Sequence, residues 1–369
     1  MYSLIEAGKN PLKTAKEYAV GRKPLGHLLT DVPVEIIHAL GFYPVLIYTR
    51  GGPAGKGREH FQSFTCTYGR GSLDLLLDDD LSFLEGVITP FICDTTRCVD
   101  IVLRDQKPMP YVECYRPPKS HKGHSAHEYL VGELKRLSDS IASYGGVKVD
   151  EMAIANSIKI YNNARKLLRQ AEQLREDNPL YYFDICKAFT VLPVEVFIEA
   201  GEKEIPHLIE DSQVEKKENS KKKVRIILAG KIPEPRNLPI VISVMGAEVV
   251  ADDMAVGARL FARDVEEHGD VFDALAKRQL NQIPFAGLFQ SNDDRPDFLI
   301  RLAKDRKADG VILLTLKFCE IFEIDAPEVR ERLSKEKIPT LVLETDIGDE
   351  LSGPARTRLE AFLEMLQHG

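Results

Sequence analysis

Short, nearly continuous apolar runs alternate along most of the chain with segments whose apolar residues recur every three or four positions. In PVEIIHALGFYPVLIY, Pro33 and the Glu and Ile residues after it predict a short helix that stops at Gly41, ahead of a β-rich run at residues 43–48. A glycine-rich loop at residues 50–58 follows, then a helix-like segment around SLDLLL. The apolar run LEGVITPFICD ends at Asp94 and sets Cys93 at the exit of a strand. From about residue 126 to 176 the period is helical, and Ile154, Ile158, Tyr161, Ala164 and Leu168 form one apolar stripe that reads as packing. The charged run at residues 213–223 lacks apolar periodicity and reads as a solvent-exposed linker. Beyond it, VRIILAG, AEVVADD, DGVILLT and IPTLVLE have the composition of strands covered on both faces, with helical segments between them. The predicted fold is α/β: two Rossmann- or flavodoxin-like lobes with parallel sheets, plus a helical segment. The predicted divisions are an N-terminal lobe at 1–125, a helical segment at 126–212, the linker at 213–223 and a C-terminal lobe at 224–369.

Composition narrows the partners rather than the fold. A chain of 369 residues exceeds one ordinary hydrophobic core, and 44% hydrophobic with 29% charged residues is the balance of a globular protein. A formal net charge of -8 argues against nucleic acid as the main partner, and the lysines near residue 220 read as a solvated run. The first two dozen residues lack the apolar core of a secretory signal, and no segment is long enough to span a bilayer. The expectation is a cytoplasmic protein with no membrane partner. Six cysteines in such a chain predict free thiols rather than a disulfide scaffold.

The cysteines carry the candidate chemistry. Cys93 and Cys319 each end an apolar strand, where open α/β sheets place their ligands. Cys66 lies in FTCTYGRGS, a polar context ahead of a helix start, where helix amides favour a thiolate. Taken singly, each is better explained as a buried small hydrophobe; ligation is suggested by the set. No CxxC pair or ferredoxin-type run specifies a metal. Cys98, five residues after Cys93, is either a further ligand or a spare thiol, while Cys114 and Cys186 read as packing residues. RGGPAGKGR matches neither the dinucleotide fingerprint nor the P-loop, and ILAGKIPEPRN after a strand reads as a plain connection, so ATP is not expected to bind here. No Ser-His-Asp order or HExxH helix is present, and His38 reads as a partly buried helix residue.

The blocks TDVPVEIIHALGFYPVLI, FTCTYGRGSLDLL, GVITPFICDTTR, GAEVVADDMAVGARLF, ADGVILLTLKFCE and IPTLVLETDIGDELSGPARTRLEAFLEML resemble, in order, those of the 2-hydroxyacyl-CoA dehydratase and benzoyl-CoA reductase family, of the 2-hydroxyglutaryl-CoA dehydratase D-component type. The resemblance implies that Cys66, Cys93 and Cys319 bind a [4Fe-4S] cluster with one iron open to a non-cysteine ligand. It implies an acyl-CoA thioester substrate, a related second subunit or a homodimer, and a separate ATP-dependent iron-sulfur activator that delivers the electron. The reaction implied is elimination of water from a 2-hydroxyacyl-CoA through a ketyl radical, favoured here by the closing stretch ETDIGDELSGPARTRLEAF. The alternatives are reduction of benzoyl-CoA, or a non-catalytic iron-sulfur partner that transfers electrons or assists assembly. Thr30 and Glu35, beside the first block's strand, are the candidate catalytic residues, Glu35 being equally readable as a first-turn acid. Arg58 is the candidate contact to CoA phosphates.

Overall fold

The computed structural model describes residues 3–49, 55–107, 109–121, 123–218, 223–286, 294–348 and 350–368, without the side chains of Arg58, His124 and 213–218. Two four-stranded, wholly parallel sheets form two α/β lobes. The first holds β1 (Pro24–His27), β2 (Tyr43–Leu46), β3 (Gly86–Pro90) and β4 (Tyr111–Tyr115) in the order β2-β1-β3-β4. The second holds β5 (Val224–Gly230), β6 (Ala247–Asp252), β7 (Gly310–Leu316) and β8 (Thr340–Thr345) in the order β6-β5-β7-β8. In both, the first strand in sequence lies between the second and the third. This is the flavodoxin-like arrangement, and its order reverses beside that first strand, where a crevice opens at the carboxyl ends. β3, β5 and β7 are apolar and covered on both faces because helices flank each parallel sheet.

Four long helices connect the lobes: His124–Gly145, Glu151–Ala171, Pro179–Val191 and Val194–Glu218. The last continues into the charged run, so residues 213–218 are helical, and residues 219–222 lie outside the described residues. Ile154, Ile158, Tyr161, Ala164 and Leu168 are all buried, as their spacing predicts. Polar ties then fix the second lobe to these helices. Arg175 donates to Asp252 at 3.3 Å and to the Val250 carbonyl at 2.7 Å, and the Tyr182 hydroxyl donates to Asp252 at 2.8 Å. Asn162 exchanges hydrogen bonds with the backbone of Val265, and Arg236 pairs with Asp184 at 2.9 Å. Among the described residues, no helix is long and apolar enough to cross a membrane.

His27, at the end of β1, is buried and donates through Nδ1 to the Leu29 carbonyl at 2.8 Å. Burial lowers it from 6.5 to about 4, against the partial support of that carbonyl. In the unfolded chain His27 takes up a proton near 6.5, and in the folded chain only near 4. Stability is therefore expected to fall as pH drops through that window, by up to about 3 kcal/mol from this residue, and to level off below it. Urea titrations of the wild type and His27→Gln between pH 7 and pH 4 check this. The variant should lose most of that pH dependence, and parallel curves would refute the assignment.

Candidate functional site

Three helices begin where the two sheets end, and each is capped by a cysteine. Cys66 caps Thr67–Leu77, Cys93 caps Asp94–Gln106 directly after β3, and Cys319 caps Glu320–Lys335 directly after β7. Cys93 and Cys319 thus occupy the same place in the two lobes, the exit of the third strand, and face the order reversals of their sheets. A helix N-terminus presents unpaired N–H groups and partial positive charge, which favours a thiolate.

What joins the three is Lys231, the residue after β5. It is buried, and its Nζ lies 3.6 Å from the centroid of the Tyr68 ring. Burial opposes its charge, yet Cys319, Tyr68, Cys66 and Cys93 together hold its affinity for the proton above the usual lysine range. Interaction with the Cys319 thiol is the main reason the Cys66 thiol is pulled down to about 6. Burial opposes that shift, while Lys231, the Gly69 N–H and the Thr95 hydroxyl reinforce it. The same interaction, with burial, pushes Cys319 well above the usual thiol range. Cys93 is half-buried, and its Sγ lies 3.7 Å from the Thr96 hydroxyl. Among the described residues, no three His, Cys, Asp or Glu side chains are gathered closely enough for a single metal ion.

Backbone strain marks the same place. Leu29, after β1, has φ 60°, and Phe318, before Cys319, has φ 62°, each in the left-handed region that costs a side-chain-bearing residue about 1 kcal/mol. The turn at Phe318 lets the Cys319 N–H return to the Leu316 carbonyl at 2.8 Å. The turn at Leu29 receives Tyr68, whose hydroxyl accepts from the Leu29 N–H at 3.3 Å and donates to the Ile47 carbonyl at 3.2 Å.

The other sequence candidates distribute as follows. Thr30 is half-buried and lines two cavities, one with Tyr68 and Lys231 and one with Glu35. Glu35 is buried against Arg165; burial opposes its charge, but Arg165 and Arg278 hold the carboxyl below its usual range. Arg58 falls in the helix Gly57–His60, and its side chain lies outside the described residues, as do residues 50–54 of the glycine-rich loop. Cys98 lines an outer groove with Phe61, Phe64 and Ile101. Cys114 and Cys186 are buried, and all six cysteines are free thiols. His38 is half-buried between Ser157 at 2.9 Å and Glu195 at 2.8 Å. Sequence pattern does not single out Lys231; the signal is its place at the end of an apolar strand in ILAGKIPEPRN.

A two-lobed α/β protein whose facing sheet ends gather thiols around a buried lysine is the class that this fold and site define. The family model of 2-hydroxyglutaryl-CoA dehydratase, D-component, matches residues 29–366, and the chain belongs to that family. It is 27% identical to the beta subunit of (R)-2-hydroxyglutaryl-CoA dehydratase of Acidaminococcus fermentans, over 95% of this chain and 94% of that one. It is also 27% identical to one of the subunits of the benzoyl-CoA reductase of Thauera aromatica, over 95% and 93% of the two chains. With the beta subunit of lactoyl-CoA dehydratase of Anaerotignum propionicum the identity is 25%, over 98% and 97%.

Gly69 holds the first turns of two of the capped helices together. A Cβ there would stand 2.0 Å from Thr95 Cγ2, a short branched group, and 3.7 Å from Cys66 Sγ. Although Ala normally favours a helix, Gly69→Ala is expected to destabilise the protein by about 1–3 kcal/mol through overpacking. Urea denaturation measures the loss, and Thr95→Ser in the Gly69→Ala background should recover part of it. An Ala variant at least as stable as the wild type would contradict the contact.

Proposed function

We propose that the chain is the [4Fe-4S]-binding subunit of a 2-hydroxyacyl-CoA dehydratase, with Cys66, Cys93 and Cys319 as the cluster's ligands. The observation that carries this reading is the set of three cysteines at helix N-cap positions around buried Lys231. The donor set fits the group. Thiolates are the ordinary ligands of iron-sulfur clusters, helix N-termini and a lysine lower the cost of their negative charge, and a four-iron cube holds its thiolates farther apart than one ion would. Bound there, the cluster would supply a low-potential electron and one open, Lewis-acidic iron.

The chain's own residues then hold the substrate and exclude water. Leu29, Ile47, Ala255 and Val256 give the cavity beside Lys231 and Tyr68 an apolar wall. Tyr48, Thr49, Glu234 and Ile347 are shared between that cavity and an open cleft of about 820 Å³ at the surface. The cleft carries Lys9, Lys13, Lys16 and Arg236, with Asp80 and Glu234 as its acids, so its net positive charge suits the phosphates of CoA. A thioester entering from the cleft would bring its acyl end to Thr30, whose hydroxyl is available to the substrate's oxygen. Glu35, ionised against Arg165, acts in this reading as a counter-ion that fixes the wall. The overall reaction removes the 2-hydroxyl and a neighbouring proton as water, leaves an enoyl-CoA and returns the electron. A partner subunit, and a separate activator that spends ATP, complete the system. The equally similar benzoyl-CoA reductase chain supports a second reading, in which the electrons remain in a reduced aromatic ring.

The test is anaerobic purification with the partner subunit, followed by assays on 2-hydroxyacyl-CoA and benzoyl-CoA with activator, ATP and reductant. Enoyl-CoA formation is the expected outcome, and a reduced ring instead would establish the second reading. Iron should approach about four per chain in the wild type. It should fall sharply in Cys319→Ser and stay near the wild-type value in Cys186→Ser. Equal iron in both variants would overturn the ligand assignment.

A further inference from the structure

On the far side of Thr30 from Lys231 lies a second cavity, of about 60 Å³, several times the room one water needs. Its charged lining is Asp31, Glu35, Arg165, Arg259 and Arg278, three cations against two anions. His27, also in the lining, is neutral at ordinary pH. Arg165 is paired with Glu35, and Arg259 lies 3.4 Å from Asp31. Arg278 is the cation left over. It donates to the backbone carbonyls of Arg263 at 3.0 Å and Leu260 at 3.2 Å, and no carboxylate among the described residues pairs with it. Glu35 and Asp264 are close enough to act on it, but Glu35 is paired with Arg165 and Asp264 is held by Arg169 at 2.8 Å.

Among the described residues, two buried donors in the same lining also lack an acceptor, and one buried acceptor, Gln282 Oε1, lacks a donor. Arg165 is 1% exposed and uses its terminal nitrogens on Asn162 and Glu35, leaving Nε unpartnered. Gln279 is 9% exposed; its Oε1 accepts from the Tyr115 hydroxyl at 2.6 Å, which fixes the amide and leaves Nε2 unpartnered. Buried donors without acceptors are costly, and a surplus guanidinium beside them calls for an anion. A planar carboxylate matches both the space and the guanidinium fork.

We propose that this cavity binds a carboxylate through Arg278, Arg165 and Gln279. Resting on the dehydratase reading, that carboxylate is the distal one of a dicarboxylic 2-hydroxyacyl-CoA, whose acyl chain reaches past Thr30 from the Lys231 cavity. An acyl chain without it leaves the donors and the surplus charge unmet, so the site discriminates against monocarboxylic substrates.

Two experiments test the proposal. In the first, the melting temperature of the full chain is followed with glutarate and with its neutral diamide at equal concentration. Glutarate alone should raise it, and the rise should vanish in Arg278→Gln and in Gln279→Glu, which keeps the acceptor for Tyr115 but repels an anion. No shift, or equal shifts with both compounds, means that waters alone fill the cavity and overturns the proposal. In the second, the assembled enzyme's kcat/KM for 2-hydroxyglutaryl-CoA relative to 2-hydroxybutyryl-CoA should fall at least about tenfold in Gln279→Glu, the loss of one charge-assisted contact. An unchanged ratio overturns the substrate assignment while leaving the dehydratase reading standing. A glutarate shift in a protein that dehydrates neither thioester keeps the carboxylate site, assigns it to a free acid and removes the dehydratase reading.

Discussion

A lysine ammonium cannot be buried without negative charge nearby, and Lys231 is buried at the meeting of the two lobes. Its companions are one tyrosine ring and three thiols. Desolvation would by itself drive the proton off. The lysine instead holds its proton more tightly than usual, through its interaction with Cys319, Tyr68, Cys66 and Cys93, and it in turn helps to draw the Cys66 thiol down. The thiols depend on the lysine in turn, since clustered thiolates repel one another unless a cation or a bound metal group offsets them. Lobe placement, helix capping and the strained turns at Leu29 and Phe318 all serve this mutual requirement.

The two sheets repeat one topology, and the repeat explains why single residues from distant parts of the chain converge. Lys231 and Thr30 follow the first strands of the two lobes closely, while Cys93 and Cys319 follow the third strands directly. With the carboxyl ends turned toward each other, two crevices of the flavodoxin type become one enclosed site. Cys66 enters from the loop after β2, and Gly69 allows its helix to approach that of Cys93. The helical segment closes the far side and brings Arg165 and Asn162 on the same buried face as its apolar stripe.

Much of this is legible in the sequence, for reasons that also explain the gaps. β2, β3 and all four strands of the second lobe stand out as apolar runs, because the inner strands of a parallel sheet are buried on both faces, although β8, at the edge, is half-buried over most of its length. β1 does not: PLGH has a proline, a glycine and a histidine in four residues and becomes a strand only because its neighbours pair with it on both sides. β4, YVECY, reads in the sequence only as surroundings for Cys114. At the site, strand-end position points to Cys93 and Cys319, but nothing in local pattern says that they share a centre. That step needs the family resemblance. Arg165 is hidden inside a stripe that reads as packing, and Arg278 and Gln279 lie in a helix with no sequence mark of a site. Charge balance in a closed cavity is a property of the folded chain alone.

The function of the chain depends on whether three thiols from both lobes form one centre. Differential alkylation of the anaerobically purified protein, read residue by residue by mass spectrometry before and after removal of bound iron, tests this most directly. Cys66, Cys93 and Cys319 are expected to be protected together and to become reactive together, while Cys98 in its outer groove reacts throughout. Independent labelling of the three, or protection that survives iron removal, would contradict a shared centre.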